Sequence, residues 1–314
     1  MDVLLEARNL SKSFGSLKAV DNISLSVSKG EVLGVLGPNG AGKTTTMKMV
    51  TGFLAPTAGE AFVCGESVST ASVAARAHMG YLPEGAPLYG EMTPRTFLLF
   101  MAAARGIEKR ECRDVVESAA GAVHLGGVME QRIETLSKGY RRRVGLAAAI
   151  LHAPDVLILD EPTDGLDPNQ KHEVRRLIEA MSVDRAIIIS THILEEVEAI
   201  CHRAIIIDKG KIVADGTPSE LKRQSIYKNA VNLLLPVSDA ERAASALKRI
   251  AVVERIEASA EGQYVRLTVL SKGCRDIAET ISDIAAVSNW PVTEFSVDNG
   301  RLDDVFRRLT VGEV

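Results

Sequence analysis

The stretch Gly37-Pro38-Asn39-Gly40-Ala41-Gly42-Lys43-Thr44 decides the fold. It matches G-x-x-x-x-G-K-[ST], follows the apolar run Glu31–Leu36, and opens a helical segment from Lys43, the context in which such a loop cradles phosphate. Glycines let the backbone adopt positive φ and come close to a ligand, so successive N–H groups converge on phosphate oxygens. The helix N-terminus adds the positive end of a dipole. Lys43 supplies a point charge to the β and γ phosphates, the Thr44 hydroxyl suits Mg²⁺, and Thr45 reaches the α phosphate. A glycine-rich turn with an accidental lysine is the bland alternative, and the strand-loop-helix context weighs against it. The motif specifies a nucleoside triphosphate without naming the reaction.

Downstream, Val156-Leu157-Ile158-Leu159-Asp160-Glu161 sets two carboxylates at the end of an aliphatic run. Such runs read as strands buried on both faces of a parallel sheet, whose carboxyl edge binds ligands. Asp160 can hold Mg²⁺ through its water shell, and Glu161 can act as general base on an attacking water. Solvated loop carboxylates would be the ordinary reading without the phosphate loop. Ala186–Ile189 is a second such run and leads into Ser190-Thr191-His192.

Around these motifs the chain alternates strands and helices. Leu4–Lys12 and Ser16–Ser28 read as strands joined at Phe14-Gly15. Helical stretches Thr96–Arg105, Glu108–Val123 and Lys138–His152 interrupt the alternation, which predicts a helical subdomain over about 91–153. A composition shift near Gly216–Pro218 predicts a domain boundary, giving a nucleotide-binding domain over 1–218 and an accessory α+β domain over 221–314. In the latter, strands at Asn229–Pro236, Val253–Ser259, Gln263–Leu270 and Val292–Asp298 alternate with helices at Asp239–Ile250 and Gly273–Ala286. That β-α-β-β-α-β order is ferredoxin-like.

Composition bounds the function. The 314 residues are 46% hydrophobic and 25% charged, proportions of a globular chain. The net charge of −4 argues against a protein that holds nucleic acid through phosphates. The longest apolar run, Phe97–Ala104, is far below the roughly 18 residues of a membrane span, and the start shows no secretory pattern. Cys64, Cys112, Cys201 and Cys274 lack C-x-x-C spacing, so the spacing indicates neither a zinc site nor a redox motif, and free thiols fit a reducing compartment. A cytoplasmic chain without an integral anchor is expected.

Six ordered motifs over about residues 3–218 give the chain its resemblance to the nucleotide-binding subunits of ATP-binding-cassette (ABC) transporters. Leu136-Ser137-Lys138-Gly139-Tyr140 stands where that family has Leu-Ser-Gly-Gly-Gln, ahead of the Asp160 strand, and Gly165-Leu166-Asp167-Pro168 is similar to its D-loop. Tyr81-Leu82-Pro83-Glu84 occupies the Q-loop position, and His192 aligns with the switch histidine. The resemblance implies an α/β P-loop NTPase cassette with a mixed sheet, an antiparallel β subdomain and an inserted helical subdomain. Its nucleotide-binding set would be Phe14, stacking on adenine, with Val20, Gly37, Asn39, Gly40, Ala41, Gly42, Lys43, Thr44 and Thr45. Its Mg²⁺ set would be Thr44, Glu84 and Asp160, and its catalytic pair Glu161 and His192.

The resemblance further implies two cassettes pairing head to tail, a second copy or a relative. Ser137, Lys138, Gly139 and Tyr140 would face the partner's ATP, with Asp167 at the junction. Hydrolysis would drive an integral-membrane permease, contacted through the helical insert and the Glu84 loop, placing the chain on the inner face of the membrane. Lys-Gly-Tyr in the signature and Leu302-Asp303-Asp304-Val305-Phe306 near the C-terminus resemble the ABC-2-type exporter branch, including gliding-motility-associated subunits. Three positions depart from the family: Glu84 replaces glutamine and cannot donate as an amide does, Lys138 replaces glycine, and Tyr140 replaces glutamine. Lys138 reads equally as a cation near the partner's phosphate or as a solvated side chain, and Arg141-Arg142-Arg143 reads as a solvated helix face. The other classes are a soluble cassette acting on ribosome or DNA, which a single cassette with net charge −4 disfavours, and a regulatory module without turnover.

Overall fold

The computed structural model describes residues 2–85 and 87–310, in two compact units divided between Thr217 and Pro218. The first unit opens with β1 (Val3–Phe14) and β2 (Leu17–Ser28), antiparallel partners. The fully buried β3 (Val32–Leu36) leads through the glycine loop into α1 (Lys43–Val50). Next, β4 (Ala58–Val63) and β5 (Glu66–Ser67) complete an antiparallel sheet of order β2-β1-β4-β5. Helix α2 (Ser72–Ala77) precedes β6 (Met79–Leu82).

A helical block follows: α3 (Pro94–Ala104), α4 (Cys112–Ala122) and α5 (Lys138–Ile150). Thr93 fixes the start of α3 with a reciprocal capping box, its side chain accepting from the Thr96 N–H, so two end donors are satisfied at once. Helix α4 begins four residues later than the expected Glu108, after a turn in which Glu111 and Cys112 both donate to the Glu108 carbonyl.

The chain then returns to the core with β7 (Val156–Asp160), α6 (Pro168–Ser182) and β8 (Ala186–Ser190). The unit closes with α7 (Leu194–Ile200), β9 (Arg203–Asp208) and β10 (Lys211–Gly216). The six-stranded sheet has order β10-β9-β3-β8-β7-β6; only β10 runs antiparallel to its neighbour. Register pairs Ser190 with both Val35 and Asp160, so the carboxyl ends of β3, β8 and β7 meet at one edge. Beneath them Val35, Ile158 and Ile188 pack with Met47 of α1 and with Leu5 and Val63 of the antiparallel sheet. Stacking aliphatic strands that are buried on both faces holds that edge rigid.

The second unit comprises α8 (Pro218–Lys222), β11 (Lys228–Pro236), α9 (Val237–Leu247), β12 (Val253–Glu261), β13 (Tyr264–Ser271), α10 (Ala278–Val287), β14 (Glu294–Asn299) and α11 (Leu302–Thr310). Its sheet, β12-β13-β11-β14, is antiparallel throughout, and Leu233, Val269, Leu247, Ile281 and Trp290 form its core. The helix expected from Gly273 starts only at Ala278. Gly273 turns at φ 66° within a 3-10 turn, Lys272–Cys274, and the Asp276 carboxylate accepts from the Ala278 N–H. Helix α11 is an addition to the expected order. Among the described residues no helix is long and apolar enough to cross a membrane.

Candidate functional site

The glycine loop between β3 and α1 folds around the Lys43 side chain. Gly40 and Gly42 have φ of 82° and 108°, a region that costs a side-chain-bearing residue about 1–2 kcal/mol. A Cβ on Gly42 would come within 2.6 Å of the Ala19 carbonyl oxygen. Gly37 differs: it has no positive φ, and its missing Cβ leaves room for the Ile207 carbonyl of β9. Lys43 is 7% exposed, and its Nζ donates to the carbonyls of Gly37 at 2.6 Å and Pro38 at 3.2 Å. Burial lowers the Lys43 pKa, opposed by Glu161, Asp160 and Glu84.

A cavity of about 340 Å³ opens over the loop, lined by Asn39, Gly42, Lys43, Thr44, Glu84 and Glu161, among others. One small space thus holds a phosphate loop, a cation and carboxylates from two other strand ends. Glu161 has φ 50°, which turns the chain sharply at the end of β7. Its Oε2 lies 2.9 Å from His192 Nδ1. Burial raises the Glu161 pKa above its ordinary 4.5, opposed first by the hydrogen bond to His192 and then by its charge and that of Lys43. A carboxylate with raised proton affinity beside a phosphate cradle is suited to general-base work.

Asp160 is 1% exposed. Its Oδ1 accepts from the Ser190 hydroxyl, whereas its Oδ2 is buried with no hydrogen-bond partner among the described residues. An acceptor-only oxygen left bare beside a phosphate loop fits a hydrated divalent cation, and with Thr44 and Glu84 it makes an all-oxygen set suited to Mg²⁺. His192 is positioned from below: the Thr191 hydroxyl donates to Glu196 of α7 at 2.9 Å, and Thr163 donates to the same carboxylate.

Arg142 overturns the expected solvated face. The residue is 7% exposed, and its guanidinium donates to five main-chain carbonyls. These are Pro83 at 3.0 Å, Glu84 at 2.7 Å, Glu161 at 2.6 Å and Pro162 at 3.4 Å, together with Asp160. Helix α5 thereby clasps the segments carrying Glu84 and Glu161. The rigid donor fork of arginine matches several converging carbonyls, which a lysine could not. An Arg-Arg-Arg run gave no signal for this, because periodicity places Arg142 on the helix without showing that the β6 and β7 ends close over it. Arg143 pairs with Glu173 and lies over the Tyr140 ring.

Val20 is a second correction. It is 0% exposed and packed in the core, so it cannot touch a nucleotide; strand alternation turns Ala19 to the cavity in its place. Lys138 keeps a solvated side chain, 58% exposed, whose Nζ pairs with Asp164 at 2.8 Å. Phe14 is 48% exposed at the end of β1, with Lys12 Nζ 5.4 Å from its ring centre. Ser137 caps α5, accepting from the Tyr140 N–H at 3.3 Å, and Gly139 packs against Gln170. Asp167 caps α6, accepting from Gln170 N–H at 2.9 Å. None of these signature residues lines the phosphate cavity.

The ABC transporter family model matches residues 20–164. The Escherichia coli K12 protein named "Probable multidrug ABC transporter ATP-binding protein YbhF" is 38% identical over 226 residues, 71% of this chain and 39% of its own length. Nod factor export ATP-binding protein I of Paraburkholderia xenovorans LB400 is 38% identical over 261 residues, 83% of this chain and 84% of that protein. A solved ATP-binding subunit of an ABC transporter superposes with a TM-score of 0.65 at 30% identity, over 70% of this chain and 92% of that one.

Proposed function

The chain belongs to the ABC transporter ATP-binding family, and from that premise we propose that it binds and hydrolyses Mg-ATP at a head-to-tail dimer interface to power export through a separate permease. The single observation that carries this reading is Glu161, held by His192 at 2.9 Å on the wall of the phosphate cavity. In the proposed cycle the loop amides and Lys43 hold the phosphates, while Phe14 stacks on adenine. Glu161 takes the proton of the attacking water, and the His192 contact keeps its carboxylate aimed and ionised. Mg²⁺, when held by Thr44, Asp160 and Glu84, would neutralise charge on the phosphates.

Because Ser137 and Gly139 lie outside the phosphate cavity of their own chain, they serve a second copy's ATP. The amino end of α5 with its hydroxyl cap is a suitable anion site for that purpose. Lys138, paired to Asp164, orders the signature against the D-loop segment. A larger groove of about 700 Å³, lined by Phe53, Arg76, Tyr81, Pro83 and Arg105 among others, receives the permease. Its apolar floor carries the Tyr81 hydroxyl, which has no hydrogen-bond partner among the described residues, and Phe53 is 77% exposed, which suits an amphipathic cytoplasmic helix. The two relatives are named for multidrug transport and Nod factor export, which supports export rather than uptake.

Purified full-length chain supplied with ATP and Mg²⁺ should release phosphate, and Lys43→Ala should abolish both binding and release. ATP binding without turnover by the unaltered chain would instead favour the regulatory module.

A further inference from the structure

At the edge of the core sheet opposite the phosphate cavity, three ligand-bearing side chains converge. Cys64 Sγ, a His78 ring nitrogen and an Asp155 carboxylate oxygen lie within 4.8 Å of one another. His78 directly precedes β6 and Asp155 directly precedes β7, whose first residues are paired in register. Cys64 comes from the turn between β4 and β5. The length of β7, roughly 15 Å, separates this cluster from Asp160.

The turn carries a second, independent sign. Val63 pairs with Glu66, so Cys64 and Gly65 are the two central residues, with φ of 50° and 83°. Such a turn wants Asn, Asp or Gly at its first position; cysteine there costs about 1–2 kcal/mol. A strained residue whose side chain meets two further ligand groups points to a function for that side chain.

We propose that Cys64, His78 and Asp155 bind a zinc-class divalent cation, with solvent completing a four-coordinate shell. A thiolate, an imidazole and a carboxylate form a mixed set that zinc accepts and magnesium does not. Around a central ion the three ligand atoms would stand roughly 3.3–3.8 Å apart, inside the 4.8 Å that bounds their separations, with the His78–Asp155 pair opening from 2.6 Å. In its absence His78 Nδ1 and Asp155 Oδ2 share a hydrogen bond of 2.6 Å, with side chains 44% and 50% exposed, so an ion reaches them from solvent. Binding replaces that bond and releases the Cys64 thiol proton to buffer. Burial, with Asp155 nearby, pushes the Cys64 thiol up, so affinity should rise with pH. The ion would staple the antiparallel sheet to β6 and β7, far from the nucleotide.

The test is cobalt(II) titration of the metal-free full-length chain. Expected is a thiolate-to-cobalt charge-transfer band with tetrahedral d–d absorption, displaced by one equivalent of zinc(II), and a zinc-dependent rise in melting temperature. Cys64→Asn keeps the turn chemistry while removing the sulfur, so it should stay folded, lose the band and lose the zinc-dependent rise. Cys274→Ser should keep both, and His78→Asn or Asp155→Asn should weaken cobalt binding at least about tenfold. No charge-transfer band in the unaltered chain, or a band that survives Cys64→Asn, would show that these residues form only a hydrogen-bonded pair beside a thiol.

Discussion

His192 Nδ1 stands 2.9 Å from Glu161 Oε2, and this contact offsets part of the burial that raises the Glu161 pKa. The sign of the pH response follows. The acid limb of kcat/KM for ATP hydrolysis should lie above the ordinary carboxylate value of 4.5, because protonated Glu161 cannot act as base. His192→Ala removes the opposing influence and should move that limb to still higher pH while lowering the plateau. A pH-rate profile of both proteins checks this; an unmoved limb would detach His192 from Glu161.

Arg142 should be the most costly substitution near the site. Arg142→Met leaves five carbonyls without their donor, with an expected loss of about 3 kcal/mol at charge-assisted hydrogen-bond strengths. Arg142→Lys should recover only part, since one ammonium cannot span the same acceptors. Denaturant unfolding of the first unit's transition measures it. A loss within about 0.5 kcal/mol, as for a surface residue, would restore the solvated reading.

Much of this site could be read from residues alone, and the failures have a common cause. The phosphate loop, the Asp160-Glu161 strand end and the β-α-β-β-α-β order each depend on short-range pattern, which a sequence displays directly. Arg142 and Val20 depend on what closes over them from distant segments, and Lys138 on an exposed partner that the fold brings to it. Arg142 meets residues 58 and 59 positions earlier in the chain, and Lys138 meets a residue 26 positions later. The Cys64, His78 and Asp155 trio escaped because strand register, not spacing, assembles it.

Phe14 and Val20 should separate cleanly. Phe14→Ala should weaken ATP binding by about 1–2 kcal/mol, roughly tenfold, through lost base stacking, with little change in stability because the ring is 48% exposed. Val20→Ala should do the reverse: about 2 kcal/mol of stability lost from the core, with nucleotide affinity unchanged. Calorimetric binding beside thermal melts decides between them.

The two units should be separable. Residues 218–314 alone should fold on their own core of Leu233, Val269 and Trp290 and bind no ATP, while a chain ending at Thr217 should retain ATP binding. Circular dichroism melts and nucleotide titrations of each piece check this. A first unit that is folded yet unable to bind ATP would place part of the nucleotide site in the second.

The central claim is that Glu161 is the base that ends an ATP-held pairing of two copies. Its most direct measurement is the mass of Glu161→Gln in solution, by light scattering with and without Mg-ATP, beside phosphate release. The expected result is retained ATP binding, turnover reduced at least about a hundredfold, and an ATP-dependent dimer that persists because it cannot hydrolyse its way open. Undiminished phosphate release by Glu161→Gln, or a variant that binds ATP and stays monomeric, would contradict the account.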